Sequence, residues 1–330
     1  MTGGLLAALT TAVCFGLAPV CARRAVRLIG PLRANLGRIG VALVVMAVLA
    51  FALGRGVGDR YAAFAAAGAI GFGIGGMALF RALPALGAPL ASMLVETIAA
   101  VTAGALAWIW LDDRLSAAQV AFAGLILVGV ALGLLPYVRT ATAPSRLRSG
   151  VALAVLAAFA QAVSAVISRQ ALLAIQGAQV AAGDTRSVAA RLDVVSSASF
   201  DRLTGGAAVT LVALGIVGLL RKRRGASRRH PDAVVLDVHS DLGRLGTALP
   251  DRPWFWVSAN ALVGPVLGVT ALVWALQTLQ PGIAQSVAAM APLVAIPFAR
   301  WLDGTRPPAR YYPGVILAVA GLVGLAMAGG

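Results

Sequence analysis

The 330-residue sequence has few charged side chains, a single glutamate and almost no histidine. Charged residues make up 12% of the chain, and its two histidines, His230 and His239, lie in one polar stretch. Neither the HExxH motif of zinc peptidases nor the GxSxG motif of serine hydrolases occurs. These absences argue against metal-centred and nucleophilic catalysis, so we expect neither an enzyme nor a cofactor.

Cysteine is equally scarce, and Cys14 and Cys21 are the only two. In a helix they would share one face and lie about 10 Å apart along the axis. That distance is greater than a disulfide spans. The pair therefore predicts no mutual disulfide and gives no indication of the redox environment.

The sequence is instead rich in apolar residues, which make up 60% of the chain and give a mean hydropathy of +0.89. Apolar runs of about twenty residues follow one another, and a helix of that length crosses the ~30 Å hydrocarbon core of a bilayer. The runs must be helical, because lipid offers no hydrogen-bond partner to an unpaired backbone amide. Ten membrane spans are predicted, at 4–22, 33–53, 63–83, 86–109, 116–136, 150–172, 200–220, 254–277, 283–301 and 313–329.

Two stretches of the sequence resemble each other. Gly71 and Gly75 recur 193 residues later as Gly264 and Gly268, and the Ala82-Leu83 pair recurs in the same register. A Trp-Leu-Asp triplet then recurs after 191 residues, which places a two-residue deletion between the two matches. An internal repeat of this length indicates that the chain consists of two related halves.

The four repeated glycines also form two GxxxG motifs, in which small residues lie one helical turn apart on one face. This spacing lets another helix approach closely, so Gly71, Gly75, Gly264 and Gly268 are predicted helix-packing residues. The glycine-rich run around Gly71 follows no predicted strand and lies inside a span, which argues against a nucleotide-binding loop.

The repeat divides the chain into a first half at 1–137 and a second half at 150–330, joined by a linker at 138–149. The second half also contains two polar stretches, 173–197 and 221–252, which are predicted loops, although a short surface helix is an alternative for the first. Because each half has an odd number of spans, the second must cross the membrane in the opposite sense. The predicted fold class is therefore an all-α integral membrane protein with ten transmembrane helices, arranged as two inverted five-helix repeats.

Basic residues are distributed unequally between the two sides of the membrane that these spans define. If the N-terminus were cytoplasmic, the cytoplasmic connections would hold 6 basic residues and the opposite side 19, with Arg38 and Arg202 inside spans. The six would be Arg55, Arg60, Arg114, Arg169, Arg186 and Arg191. The positive-inside rule therefore predicts both termini outside and the basic loop 221–252 in the cytoplasm. A basic run beside a membrane helix favours anionic lipid as its partner, and we expect no nucleic acid.

Several positions follow the pattern of a known family: Arg38, Ala82-Leu83, Asp113-Arg114-Leu115-Ser116, Gly124, Gly129, Pro292, Gly314 and Gly321. With them, nearly the whole chain resembles the ten-helix EamA-type branch of the drug/metabolite transporter superfamily. That family usually has Gly-Glu-Arg-Leu where this chain has Asp112-Asp113-Arg114-Leu115. The resemblance implies a multi-pass transporter of the plasma membrane. It also implies termini on the inside, opposite to the prediction from the distribution of basic residues.

Polar side chains inside the predicted spans are the candidates for substrate binding or proton coupling, because such groups are costly in lipid and mark functional pathways. They are Glu96, Arg38, Arg202, Asn260, Gln161, Ser164, Gln277 and Gln285. Glu96 is the leading candidate, since it is the only glutamate and lies near the middle of its span. The alternatives for Glu96 are a structural ion pair with Arg38 and a protonated carboxyl that is hydrogen-bonded between helices. Hydrogen bonds between helices are the alternative for serine and glutamine, and snorkelling to the interface is the alternative for Arg202.

An inverted repeat favours a carrier that exposes one central site to each side of the membrane in turn. The expected substrate is a small polar or amphipathic metabolite, such as an amino acid, moved by an exporter or exchanger, with protons as a candidate coupling ion. One glutamate near two arginines suits a zwitterion or an organic anion, whereas a lone carboxylate in an aromatic cavity suits a cation. A passive pore or a lipid scramblase on the same scaffold is the alternative. The substrate, the coupling ion, the direction of transport and the oligomeric state stay open.

Overall fold

A computed structural model describes residues 2–54, 56–138, 144–181, 187–223, 252–303 and 311–328. Helices include nearly all of these residues, and none of them belongs to a β-strand. The apolar runs therefore predicted the all-α class correctly, because a chain surrounded by lipid must satisfy its backbone hydrogen bonds within each segment.

The helices of the first half are α1 (Thr2–Ile29), α2 (Pro31–Leu53), α3 (Tyr61–Gly68), α4 (Gly76–Leu111) and α5 (Ala117–Val138). The helices of the second half are α6 (Pro144–Ala181), α7 (Val188–Arg223), α8 (Pro253–Ala261), α9 (Val269–Leu276), α10 (Pro281–Ala288), α11 (Ala291–Asp303) and α12 (Tyr311–Ala328). A first π-helical segment, Ala69–Gly75, joins α3 to α4, and a second, Leu262–Gly268, joins α8 to α9.

Seven of the described helical stretches are long and apolar enough to cross a membrane: Gly3–Ile29, Pro31–Ala52, Tyr61–Leu111, Leu147–Ala181, Val188–Leu220, Pro253–Leu276 and Tyr311–Ala328. Two shorter apolar helices lie at Ala117–Gly133 and Pro281–Pro297. These helices make the chain a multi-pass membrane protein. The count of ten spans stays a prediction.

Gly87 breaks the longest of these stretches, which covers 51 residues. Its φ of 73° and ψ of 166° fall in a backbone region that is accessible almost only to glycine. Pro84 and Pro89 flank the break, and each removes a backbone donor from the helix. The stretch therefore consists of two parts, 61–86 and 88–111, and each is long enough for one membrane crossing.

The sequence repeat coincides with a repeat in local structure. Adding 193 to the bounds of the first π segment gives the bounds of the second, 262 and 268. The same offset takes Gly87 to Gln280, which has an extended backbone with φ −65° and ψ 146° directly before α10. It also takes Glu96 to Ala289, where the second half has a break between α10 and α11. The two halves therefore share their helix irregularities as well as their glycines.

The polar stretch at 173–197 is not a loop in its described part. Residues 173–181 continue α6 and 188–197 begin α7, so both helices extend beyond the predicted spans. The reason is that polar groups in this stretch have partners. Ser196 and Ser197 bond back to Asp193 one turn earlier, and Gln176 donates to the backbone of Gln277.

Two other interpretations of the polar connections also change. The predicted linker ends earlier than 149, because α6 begins at Pro144. Arg169, assigned above to a connection, lies inside α6 and is buried. Most of the basic loop 221–252 lies outside the described residues.

Small residues allow neighbouring helices to pack closely. At the contact between α5 and α12, a Cβ on Gly129 would lie 2.6 Å from the backbone nitrogen of Ala318, and one on Gly321 would lie 2.8 Å from Ile126 Cγ1. Close backbone approach of this kind is the usual source of helix association in lipid, where no hydrophobic effect drives it.

Candidate functional site

A cavity of about 100 Å³ lies among the helices, and both halves of the chain line it. A space of this size holds several water molecules or a small ligand. Six of the eight polar side chains predicted to bind substrate or couple protons line the cavity: Arg38, Glu96, Gln161, Ser164, Arg202 and Asn260. The packing of the two halves therefore brings together groups that are far apart in sequence.

Glu96 lies on α4 and is 6% exposed. Gln161 on α6 donates from Nε2 to Glu96 Oε2 at 2.7 Å, and the same nitrogen lies 3.3 Å from Gln285 Oε1 on α10. Within the part of the chain that the structure describes, no ion pair includes Glu96. The carboxylate is therefore held by a neutral amide, and the structural ion pair with Arg38 is not formed.

Arg202 lies on α7 and reaches two serines of α6. Its Nη1 donates to Ser168 Oγ at 2.7 Å and its Nη2 donates to Ser164 Oγ at 3.0 Å. The serines are four residues apart, so they project from the same face of the helix. Each hydroxyl donates its own proton to a backbone carbonyl, that of Ala67 for Ser164 and that of Ser164 for Ser168. Arg202 is thus fixed on the cavity wall and does not reach towards the membrane surface.

Arg38 lies on α2 and is 8% exposed. Its Nε donates to Asn35 Oδ1 at 3.0 Å. Its guanidinium carbon lies 4.5 Å from the ring centroid of Phe80 and 5.9 Å from that of Phe72. A guanidinium near aromatic rings gains a favourable cation–π interaction. These contacts hold the positive charge of Arg38 at the cavity.

Asn260 contributes an amide from α8. Its Nδ2 donates to the carbonyl oxygen of Ala18 at 2.6 Å, next to Pro19 in α1. Its Oδ1 is buried and accepts no hydrogen bond from another described residue. A buried acceptor without a partner is costly, and Asn260 itself lines the cavity.

The repeated glycines bring the two π segments close to other helices. A Cβ on Gly71 would lie 2.6 Å from Ser164 Oγ, and one on Gly264 would lie 3.3 Å from Ala18 Cβ. The second glycine of each motif makes a similar approach to the same helix. The first π segment therefore packs on α6 and the second on α1, so each half packs its glycines against the first helix of the other half.

Two predicted residues do not line the cavity. Gln285 Oε1 accepts a hydrogen bond from Gln161 Nε2, so Gln161 links it to Glu96. Gln277 lies outside the cavity. Its Nε2 donates to the backbone carbonyl of Arg191, and its backbone carbonyl accepts from Gln176 Nε2. It lines a separate cleft of about 50 Å³ between α6, α7 and the end of α9.

Sequence reasoning missed Asn35, Phe72 and Phe80. Asn35 is fully buried and donates both to the carbonyl of Phe72 and to Thr210 Oγ1, at 3.4 Å each. Its position three residues before Arg38 in an apolar span was a usable signal, because residues at that spacing are neighbours on a helix. The two phenylalanines gave no such signal, since an aromatic residue in a span is usually lipid-facing or packed in a core.

No metal site emerges from the described ranges, in which no three His, Cys, Asp or Glu side chains form a group that could hold an ion. The site consists instead of one carboxylate, two guanidiniums, three amides or hydroxyls and several aromatic rings. Such a set can bind a small charged solute through hydrogen bonds and ion pairs, and Glu96 can also bind a proton.

Comparison with known proteins places this chain in a family. The sequence profile described as the EamA-like transporter family matches residues 2–135 and 240–327. A search of curated proteins found no match. A solved crystal structure, one of 24 matching chains, is similar with a TM-score of 0.65 and 16% sequence identity over 98% of both chains, which supports the fold alone. The chain belongs to the EamA-like transporter family, of the drug/metabolite transporter superfamily.

Proposed function

We propose that the protein is a secondary transporter that works by alternating access and that exports or exchanges a small polar or amphipathic metabolite, such as an amino acid or a related compound. The cavity between the halves is its substrate site, and Glu96 is its substrate-linked or proton-linked centre. The observation that carries this proposal is the convergence of Glu96, Arg38 and Arg202 on one cavity.

The cost of placing these groups in a membrane supports a functional role. Each ionisable side chain among apolar helices costs several kcal/mol unless it is paired or hydrated. Arg38 and Glu96 have no charged partner among the described residues. A chain that needed them only for packing would be more stable with apolar side chains of similar size. Their cost is explained if they bind a solute or a proton.

The repeat supports a carrier over a passive pore or a lipid scramblase. Two halves with matching irregularities can pack against each other in two nearly equivalent ways, which exposes one central site to alternate sides. The first helix of each half packs on the π segment of the other, so a movement of one half would reshape both contacts. A pore or a scramblase needs no such paired arrangement.

A counterflow experiment separates these functions. Purified protein is screened by thermal shift against amino acids, nucleosides, organic acids and cationic dyes, and the best stabiliser is loaded without label into sealed proteoliposomes. We expect a trace of labelled compound added outside to accumulate transiently above its equilibrium level. A passive pore gives equilibration without this overshoot, and protein-free liposomes give neither.

A lipid assay addresses the remaining alternative. Proteoliposomes with a fluorescent phospholipid are treated with a membrane-impermeant reductant, which bleaches only the outer leaflet. We expect about half of the fluorescence to persist, because a carrier does not move lipid between leaflets. Complete bleaching together with absent counterflow would replace the carrier with a scramblase.

A further inference from the structure

The two arginines of the cavity carry positive charge and contact no carboxylate of the described chain. Arg38 is 8% exposed and Arg202 is 5% exposed, and both line the cavity. Among the described residues, neither forms an ion pair with an acidic side chain. A buried charge without a counter-charge is strongly unfavourable. A negatively charged ligand in the cavity would stabilise these two guanidiniums.

Glu96, which lines the same cavity, and Asp201, which is adjacent to Arg202 in sequence, have other partners. Glu96 accepts its hydrogen bond from Gln161. Asp201 directly precedes Arg202, but successive residues of a helix point about 100° apart, and Asp201 Oδ2 accepts from the backbone nitrogen of Gly58 at 3.1 Å. Neither carboxylate is therefore the counter-ion of the arginines.

Most hydrogen-bond donors of the two guanidiniums are unused. An arginine has five N–H donors, so the pair has ten. Three bonds to described residues use them: Arg38 Nε to Asn35, and the two Nη groups of Arg202 to Ser168 and Ser164. Arg202 Nε is buried and has no hydrogen-bond partner in the described chain. No described residue accepts a hydrogen bond from the Nη groups of Arg38, so these groups can donate to an oxyanion in the cavity.

Both guanidiniums approach the same ring. The guanidinium carbon of Arg38 lies 5.9 Å from the centroid of Phe72, and that of Arg202 lies 5.8 Å from it. The two carbons are therefore at most about 12 Å apart, so both guanidiniums lie in the same part of the cavity. Phe72 and Phe80 provide apolar surface for its carbon frame.

Counting charge selects the class of ligand. With Glu96 ionised, the two arginines leave the cavity with one excess positive charge, and with Glu96 protonated they leave two. A net anion reduces this excess, a zwitterion leaves it unchanged and a cation increases it. Guanidinium groups also match the planar, bidentate geometry of oxyanions.

We propose that the cavity is an anion site, in which Arg38 and Arg202 beside Phe72 bind the oxyanion of a net-negative organic solute. This rests on the proposed function and narrows it, because it assigns the transported metabolite to the organic anions. Asn35, Ser164 and Ser168 are positioning residues that hold the two guanidiniums at the cavity.

Matched series of probes test the charge class. Butyrate, 4-aminobutyrate and butylammonium share one carbon frame, and 3-phenylpropanoate, phenylalanine and 3-phenylpropylammonium share another. Binding to the full-length protein in nanodiscs is measured by thermal shift over a range of concentrations at constant ionic strength. We expect the anion to bind best in each series and the ammonium compound worst. Equal responses within a series, a preference for the cation or zwitterion, or no response to either anion would overturn the proposal.

Substitutions test the residues. Arg38→Gln and Arg202→Gln are each expected to weaken anion binding about tenfold or more. Arg81→Gln is the matched control, because Arg81 lies exposed on α4 and outside the cavity, and we expect it to bind as the wild type does. Arg38→Lys keeps the charge and loses the fork of donors, so it should bind with intermediate affinity and remains informative if a glutamine variant fails to fold. Wild-type binding by both folded glutamine variants would also overturn the proposal.

Comparison with counterflow keeps the two proposals separate. If anions bind through Arg38 and Arg202 but no compound shows counterflow, the site stands and the transporter proposal fails. If a zwitterion or a cation shows counterflow and neither anion binds or competes, the transporter proposal stands and the anion site is wrong.

Discussion

Gln161 donates from Nε2 to Glu96 Oε2 at 2.7 Å, and the same nitrogen lies 3.3 Å from Gln285 Oε1. This connection joins α4 of the first half to α6 and α10 of the second half. Gln285 Nε2 is buried and has no hydrogen-bond partner among the described residues. The carboxylate of Glu96 is therefore held where the two halves meet, and a change in its charge alters a contact between them.

Glu96→Gln should abolish the pH dependence of transport and reduce its rate. Glutamine keeps the size of the side chain and a hydrogen bond to Gln161 but cannot titrate, whereas the neighbouring arginines keep their charge across the working pH range. Uptake of the compound identified by counterflow is measured in proteoliposomes between about pH 5.5 and about pH 8.5. This range extends roughly one to two pH units to either side of neutrality.

Asp59→Asn is the control for this substitution, because Asp59 is an exposed acidic residue outside the cavity. It should leave both the rate and the pH dependence unchanged. A Glu96→Gln protein that folds normally and still shows wild-type uptake and pH dependence would make Glu96 a structural residue.

Gly75→Leu should destabilise the protein. A Cβ on Gly75 would lie 2.9 Å from Ala160 Cβ, so any side chain forces the first π segment away from α6. Overpacking of this kind costs about 1–3 kcal/mol. Thermal unfolding in detergent, followed by the remaining monodisperse fraction, should show a lower midpoint temperature.

Gly215→Leu is the matched control, because Gly215 is an exposed helical glycine whose Cβ would meet nothing within 4 Å. It should match or slightly exceed the stability of the wild type, since leucine has the higher helix propensity. Equal midpoints for the Gly75→Leu and Gly215→Leu proteins would mean that the close approach at Gly75 is not needed.

Asp113→Asn should destabilise the protein more than Asp112→Asn does. Asp113 Oδ2 lies 3.6 Å from Arg169 Nε, and the side chains are 18% and 10% exposed. Arg169 also donates from Nη1 to the carbonyl of Leu276 at 2.7 Å. Without the Asp113 carboxylate, the mostly buried guanidinium of Arg169 has no counter-charge among the described residues. We expect this loss to lower the free energy of unfolding by about 1–3 kcal/mol.

Asp112 provides the comparison one position earlier. Its pair with Arg114 at 2.9 Å involves side chains that are 77% and 75% exposed, and such surface pairs contribute about 0–1 kcal/mol. Asparagine also tolerates the left-handed backbone of Asp112, with φ 50°. The two variants are compared by thermal unfolding, and a larger loss for Asp112→Asn would contradict the assignment of the buried pair.

The sequence was sufficient to predict the class of fold, because hydropathy follows directly from what lipid requires of a backbone. It was less informative about where helices end. The residues between Val188 and Ser197 look like a loop by composition, yet they are helical, and Ser196 and Ser197 donate hydrogen bonds to Asp193 within the helix. Composition alone does not show that a polar group has a partner.

The same limit applies to the site. Charge and polarity inside spans identified Glu96, Arg38 and Arg202, since each is costly in lipid. They did not identify Phe72, which is near both guanidiniums only after α2, α7 and the first π segment pack together. Gln277 is a polar residue inside a predicted span, as Gln161 is, but it lies in another cleft. Pattern therefore predicted which residue types matter, and tertiary packing decided which of them meet.

Two repeat-related connections should lie on opposite sides of the membrane. The connection at 54–60 precedes α3 and the stretch at 225–250 precedes α8, and α3 and α8 lead into the π segments that the 193-residue offset relates. Inverted halves place these connections on opposite sides, whereas parallel halves place them on the same side. The distribution of basic residues further predicts that 225–250 is cytoplasmic and that 54–60 and Gly330 are outside.

A reporter that is active only in the cytoplasm tests inversion and orientation together. It is inserted within 225–250 or within 54–60, or fused after Gly330, in full-length chains that retain their expression level. We expect activity at 225–250 and none at the other two sites, because the smaller number of basic residues lies on the side of 54–60 and the C-terminus. Activity at 54–60 and Gly330 with none at 225–250 would keep the inversion and restore the orientation usual in the family. Equal activity at 54–60 and 225–250 would show that the halves are parallel, and the inverted repeat would then be wrong.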